Sequence, residues 1–197
     1  MTQNIRYSVD GDGIALLLID VAGRPMNVLT PGFQADLAEC IQRVVSDAAV
    51  RGVVIGSAKS SFMAGADIKD MVGAYDRGIT AAEASKFSYE LSSLLRRLET
   101  CGKPVAAAIN GVALGGGFEV ALACHYRVIA DEPKAGVGLP EVKIGLLPGG
   151  GGDLVGRRDQ SGSQLPAFRI SSSAPVIERL QTGTADRHFG LAKSPRP

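Results

Sequence analysis

The sequence predicts an α/β fold of βα units on a parallel sheet, giving way to an aperiodic tail. Three observations carry this expectation. A strand, a helix and a second strand follow one another between Gly13 and Ile55, the order of a parallel unit. A long amphipathic helix then leads into a buried strand, Val105 to Ile109, made mostly of small residues and uninterrupted by charge. From Asp153 onward the apolar periodicity is lost.

Taken in order, Gly13 to Val21 reads as a strand with the apolar run Ile14 to Ile19, and Ala22-Gly23-Arg24-Pro25 turns out of it. Thr30-Pro31 reads as an N-cap followed by proline at the first helical position. That helix runs to about Ala49, with Phe33, Leu37, Ile41, Val44 and Val45 on one face. Val53 to Ile55 is the next strand. Lys59 to Met71 is a loop entering a helix, in which Phe62 and Met63 are candidate core residues. Ala64-Gly65-Ala66 permits close backbone approach to a ligand, and Asp67 starts a helical turn. A second long helix spans about Ala81 to Thr100, its stripe of Phe87, Leu91, Leu94, Leu95 and Leu98 assigned to the core or a subunit contact. Arg96, Arg97 and Glu99 read as a solvated face.

The stretch Lys103–Gly152 holds the candidate chemistry. Asn110-Gly111 breaks the strand, and Gly115-Gly116-Gly117 opens a short helix with Glu119 in its first turn. Glu141 follows the turn Gly138-Leu139-Pro140. Two carboxylates after two glycine-bearing turns form a candidate acid/base pair. Backbone N–H groups at a glycine-rich helix start stabilise negative charge. Beside two carboxylates a polarised carbonyl suits such a site better than a phosphate. The competing reading is structural: the glycines let a helix pack closely on a strand, and Glu119 complements the helix dipole.

Composition excludes several classes. The 197 residues fit one domain on a prior of roughly 100–200 residues per domain, and 45% hydrophobic content supplies a core. A net charge of +1 gives no basic excess for nucleic acid. Cys40, Cys101 and Cys124 are odd in number and form no Cys-x-x-Cys, which indicates neither a zinc site nor a disulfide framework. A reducing, cytoplasmic location is expected. The N-terminus shows no signal or transit pattern, and no stretch is long and apolar enough to span a membrane. Dinucleotide, P-loop and nucleophile-elbow motifs are absent. His125 and His188 have no metal-ligand partner at useful spacing, and His125 reads as structural.

Two segments, FMAGADIKDM and, further on, AAINGVALGGGFEVALACHYRVIA with GLPEVKIGLLPGGGG, closely resemble the crotonase family of enoyl-CoA hydratases and isomerases. The likeness is greatest to the hydratase domain that opens the multifunctional fatty-acid oxidation α-subunits, and it covers about residues 14–152. It implies a crotonase-like spiral core of ββα turns, incomplete at the C-terminus. It also implies an oxyanion hole formed by the N–H groups of Ala66 and Gly116, with Ala64, Gly65, Asp67, Ile68 and Gly115 lining the acyl-CoA. Glu119 and Glu141 match the family's two glutamates, which hold one water and add it across a 2-enoyl thioester. In that reading Glu141 exchanges the proton at the substrate carbon, and Glu119 orients and deprotonates the water. No metal or redox cofactor is implied, since the coenzyme A thioester is the substrate. The implied partners are a homo-oligomer or a thiolase subunit. Both glutamates favour hydratase over isomerase. The alternatives are a Δ3-Δ2-enoyl-CoA isomerase and an inactive acyl-CoA-binding or subunit-interacting remnant.

The likeness gives a core of residues 1–152 and a non-family tail, 153–197. Only eight of those 45 residues are Val, Ile or Leu, and seven Lys/Arg stand against four Asp/Glu. No helical or strand period emerges there. The tail is expected to be poorly ordered, and the abrupt shift points to a changed reading frame or a truncated gene product.

Overall fold

The structure is a computed structural model that describes residues 4–152 and the backbone of 167–170. It opens with a hairpin. Strand β1 (Ile5–Val9) pairs antiparallel with β2 (Ile14–Ile19), setting Ile5 opposite Ile19 and Val9 opposite Ala15. The turn is closed by Asp10 Oδ1, which accepts the N–H groups of Asp12 at 3.0 Å and Ile14 at 2.8 Å. Gly13, at φ +77°, supplies the left-handed residue this turn needs.

Helix α1 (Pro31–Ser46) starts as its sequence predicts. Thr30 Oγ1 accepts the Phe33 N–H at 3.0 Å, and proline follows the cap. Phe33, Leu37, Cys40, Ile41 and Val44 are buried. Val45 was expected on the same face but is 50% exposed, because one further residue turns about 100° off the stripe. Strand β3 (Gly52–Ser57) lies parallel to β2, and helices α2 (Ile68–Asp76) and α3 (Ala81–Glu99) follow. Thr80 and Glu83 form a full capping box at the start of α3. Leu91, Leu94, Leu95 and Leu98 are buried as expected, but Phe87 is 40% exposed. Positions 81–90 contain no buried residue, so α3 reaches the core only from Leu91 onward.

Strand β4 (Val105–Ile109) pairs parallel with β3, then β5 (Val112–Leu114), α4 (Gly116–Leu122), β6 (Tyr126–Ala130) and β7 (Gly136–Gly138) complete the central stretch. A 3₁₀ turn spans Glu141–Ile144. A last strand, β8 (Ala167–Ile170), runs parallel to β6, where no strand period had been read; four residues are too few to display one. The expectations for the rest of 153–197 lie outside the described residues.

The main sheet has the order β1-β2-β3-β4-β6-β8, parallel throughout except for the first pair. Leu17, Ile19, Val53, Ile55, Val105 and Ala107 join Phe33 and Leu37 of α1 and Leu94 and Leu98 of α3 in one core. The parallel strands read as near-continuous apolar runs because helices cover them. This is the α/β fold the sequence predicts.

A smaller layer positions the candidate site. Strands β5 and β7 pair parallel, and two further segments extend them through single bridges, Met63 to Ala113 and Leu29 to Ala66. The bonds Met63 N–H to Val112 O (3.1 Å), Leu114 N–H to Met63 O (3.0 Å), Ala64 N–H to Asn27 O (2.9 Å) and Leu29 N–H to Gly65 O (2.8 Å) tie the layer together. Asn27, fully buried, anchors it to the main sheet. Its Nδ2 donates to Ser57 Oγ at 2.8 Å and to the carbonyls of Phe62 and Ile19 at 3.1 and 3.3 Å. Its Oδ1 accepts the Val21 N–H at 2.9 Å.

Candidate active site

Ala66 lies in one segment of this small parallel layer, at its bridge to Leu29, and Gly116 and Glu141 follow the C-terminal ends of two others. The carboxyl ends of parallel strands are where loops are free to gather around a ligand. Here Gly65 packs against the Gly115–Gly116 turn so closely that a Cβ on Gly65 would lie 3.5 Å from Gly116 N and 2.9 Å from Leu114 O. Gly65 also sits at φ +90°, so both its conformation and its surroundings demand glycine.

The orientations of the two amides follow from their own peptide planes. Gly65 O accepts the Leu29 N–H, and in a planar trans peptide this directs the Ala66 N–H away from Leu29. Gly115 O accepts the N–H groups of Phe118 (2.8 Å) and Glu119 (3.0 Å), which turns the Gly116 N–H away from the body of α4. Gly116 is the first residue of α4, so its N–H has no acceptor one turn back. Each amide is therefore held by a bonded carbonyl on the other side of its peptide.

The glycine triplet serves packing as well. A Cβ on Gly116 would collide with Leu29 Cδ1, and one on Gly117 with the Met63 carbonyl. Gly115, at φ +53°, carries the Glu141 carboxyl beside it, with Oε1 2.7 Å from where a Cβ would stand. The structural reading of the glycines thus holds for Gly116 and Gly117 without excluding a second use of their amides.

Both carboxylates meet at this turn. Glu119 is 3% exposed. Its Oε1 accepts the amides of Gly150 at 2.8 Å and Gly152 at 2.9 Å, and its Oε2 lies 3.7 Å from the Cβ position of Gly116. Glu119 is thus held by two backbone donors from the distant glycine run, a firmer hold than complementing the helix dipole. Glu141 Oε2 is buried and has no protein hydrogen-bond partner among the described residues. A cleft of about 240 Å³ lies on the α3 side of Glu119, lined by Ser92, Leu95, Arg96, Gly150 and Gly152. Glu141 does not line it.

The remaining expected residues divide. Ala64 and Gly65 are bonded into the strip that leads to Ala66. The Asp67 carboxylate is 9% exposed and engaged by protein: Oδ1 caps α2 through the Lys69 N–H at 2.9 Å, and Oδ2 pairs with Arg24 Nη1 at 2.5 Å. Ile68 is 62% exposed at the start of α2, a helix without a buried residue. His125 is structural, since its Nδ1 accepts the Val105 N–H at 3.0 Å. The sequence gives Asn27, Lys59, Gly150 and Gly152 no individual role, and Arg24 only that of a turn residue. Only the glycines carried a signal, as part of a visible run. Among the described residues no group of three or more His, Cys, Asp or Glu could hold a metal, and no helix is long and apolar enough to cross a membrane.

Comparison with known proteins gives the family. Residues 12–162 match the enoyl-CoA hydratase/isomerase family model. The fatty acid oxidation complex subunit alpha of Shewanella loihica is 49% identical over 173 residues, 87% of this chain and 22% of that protein. The corresponding subunit of Idiomarina loihiensis is 43% identical over 155 residues, 77% of this chain and 21% of that protein. The enoyl-CoA hydratase structure from Bacillus anthracis superposes with a TM-score of 0.70 at 29% identity, covering 79% of this chain and 58% of that one. An enoyl-CoA hydratase from Shewanella pealeana, at 20% identity and a TM-score of 0.72 over 80% of this chain and 57% of that one, shares the fold. With a family match over most of its length, the chain belongs to the enoyl-CoA hydratase/isomerase family. It spans about a fifth of the length of the fatty acid oxidation relatives it matches.

Proposed function

We propose that this chain binds a 2-enoyl-CoA thioester and adds water across its double bond, a hydration step of fatty-acid β-oxidation. The observation that carries the reading is the meeting of Gly65-Ala66, Gly115-Gly116, Glu119 and Glu141 at one turn. The thioester carbonyl would accept from the Ala66 and Gly116 amides, whose planes are already set, so charge on the oxygen costs little reorganisation. Water would lose a proton to Glu119 as its oxygen bonds to C3. The C2–C3 π electrons move toward the carbonyl as an enolate, and Glu141, entering the cycle as the acid, delivers its proton to C2; the proton taken up by Glu119 passes back to Glu141 through water before the next turnover. Glu119, gripped through Oε1, is suited to orienting the water, and Glu141, with a buried unpartnered oxygen, to working at carbon.

The names of the fatty acid oxidation relatives support the pathway, and the presence of two glutamates supports hydration over isomerisation. The test is the loss of enoyl-thioester absorbance when purified chain meets a short and a long 2-enoyl-CoA. Hydration of either supports the reading. Binding without turnover would favour the acyl-CoA-binding alternative, and conversion of a 3-enoyl-CoA alone would favour isomerase.

A further inference from the structure

Ala66 lies between two unequal neighbours. On one side is Gly65, at φ +90°, the residue type with the least resistance to backbone rotation. On the other is Asp67, whose carboxylate is nine-tenths buried. A buried carboxylate needs charged or hydrogen-bonded partners to remain where it is. Lys69 N–H supplies one and the Arg24 guanidinium the other, at 2.9 and 2.5 Å. Arg24 Nη2 also lies 3.9 Å from Asp70 Oδ2 in the first turn of α2.

Arg24 is itself fastened from behind. Lys59 Nζ donates to the carbonyls of Arg24 and Val21, each at 2.5 Å, and lies 3.7 Å from Asp20 Oδ1. The Lys59 carbonyl is in turn held by Asn110 Nδ2 at 2.6 Å. An unbroken polar chain therefore runs from the end of β4, through Lys59 and Arg24, to Asp67 beside Ala66. This arrangement rests the C-terminal flank of Ala66 on the main sheet, as the Leu29–Gly65 bond rests its other flank on the smaller layer.

We infer that Arg24 is a positioning residue: through its ion pair with Asp67 it sets the Ala66 N–H for the thioester oxygen. The inference rests on the proposed oxyanion role of Ala66. The Arg24 side chain is 39% exposed, so removing it leaves no hole in the core. Small misplacement of a catalytic group is costly, up to roughly a hundredfold for about 1 Å.

The experiment compares wild type, Arg24→Ala, Arg24→Lys, Asp67→Asn and the Arg24→Ala/Asp67→Asn double variant. Asp67→Asn keeps the cap oxygen and removes the charge. Two ligands are titrated, butyryl-CoA and its thioether analogue in which CH₂ replaces the carbonyl, and hydration kinetics are measured alongside. Wild type is expected to prefer the thioester. Arg24→Ala and Asp67→Asn are expected to lose most of that preference with thioether affinity unchanged, and to lower kcat by roughly tenfold to a hundredfold with little change in KM. Arg24→Lys should restore part of both, and the double variant should be no worse than the single ones, as expected of two groups acting through one contact. The full thioester preference persisting in Arg24→Ala would overturn the role of Arg24 while leaving the oxyanion reading intact. A wild type without any preference would overturn that reading and this inference with it.

Discussion

Glu119 Oε1 accepts a hydrogen bond from the Gly150 amide at 2.8 Å, across 31 positions of the chain. The contact leaves no room at Gly150, where a Cβ would lie 2.9 Å from Glu119 Oε2 and 3.0 Å from Leu95 Cδ1. Gly150→Ala is therefore expected to displace the carboxylate and lower hydration kcat by roughly tenfold or more, with acyl-CoA affinity little changed. Steady-state kinetics on the purified variant check this, and unaltered kcat would show that the position of Glu119 is not critical.

Glu119→Gln and Glu141→Gln are each expected to lower turnover by roughly 10²–10⁴-fold, the usual size of a general acid–base contribution. Acyl-CoA affinity, measured by calorimetric titration, should move little, because neither side chain is assigned to the nucleotide. Wild-type turnover in either variant removes that residue from the mechanism. A Glu119→Gln protein that keeps hydratase and loses isomerase activity would exchange the two roles.

Asn27→Leu should destabilise the fold by about 3 kcal/mol or more. It strips hydrogen bonds from the Val21 N–H and from the Phe62 carbonyl, and a buried polar group left without a partner costs roughly 1–3 kcal/mol. Urea unfolding followed by circular dichroism reads the loss. A midpoint equal to that of wild type would mean that the smaller layer is held by its other contacts.

The cysteines should differ in reactivity. Burial pushes the Cys40 thiol up to about 11 and the Cys124 thiol up to about 12, and the thiolate is the nucleophile. At pH 8 iodoacetamide should label the half-buried Cys101 first, with Cys40 and Cys124 following only on unfolding. Peptide mass spectrometry decides it, and early labelling of Cys124 would refute its burial. The sign for stability follows from the same shifts. The folded state holds these protons more tightly, so their contribution is complete below the ordinary thiol pKa of 9.0 and fades as pH rises toward 11–12.

Much of the fold is legible in the residues. Thr30-Pro31 marks the start of α1, and the leucine stripe from Leu91 to Leu98 marks the buried half of α3. The hairpin of β1 with β2 is signalled in the sequence only by its turn, Asp10-Gly11-Asp12-Gly13. The site was only partly visible. Glu119 and Glu141 stand out because their residue type is chemical and their turns are glycine-rich. Asn27 does not, because two of its four bonds run to Ser57 and Phe62, 30 and 35 positions away, and nothing local distinguishes it from a turn asparagine. Arg24 reads as an ordinary turn residue for the same reason. The roles of Gly116 and Gly117 beside Leu29 and Met63 likewise depend on tertiary approach.

The main sheet takes on its parallel strands in the order in which the chain is read: β2, β3, β4, β6, β8. Each strand meets an edge already laid down, so a chain leaving the ribosome N-terminus first is able to pair as it lengthens. The proposed site matures on another timetable. Its amides come from residues 66 and 116 and its carboxylates from 119 and 141, so a half-synthesised chain owns a paired sheet and no thioester site. Ligand stabilises only a state it binds. Acyl-CoA therefore gives no help while the β3 edge waits for β4 through the synthesis of two helices, and that interval is when the growing chain is most open to wrong pairing.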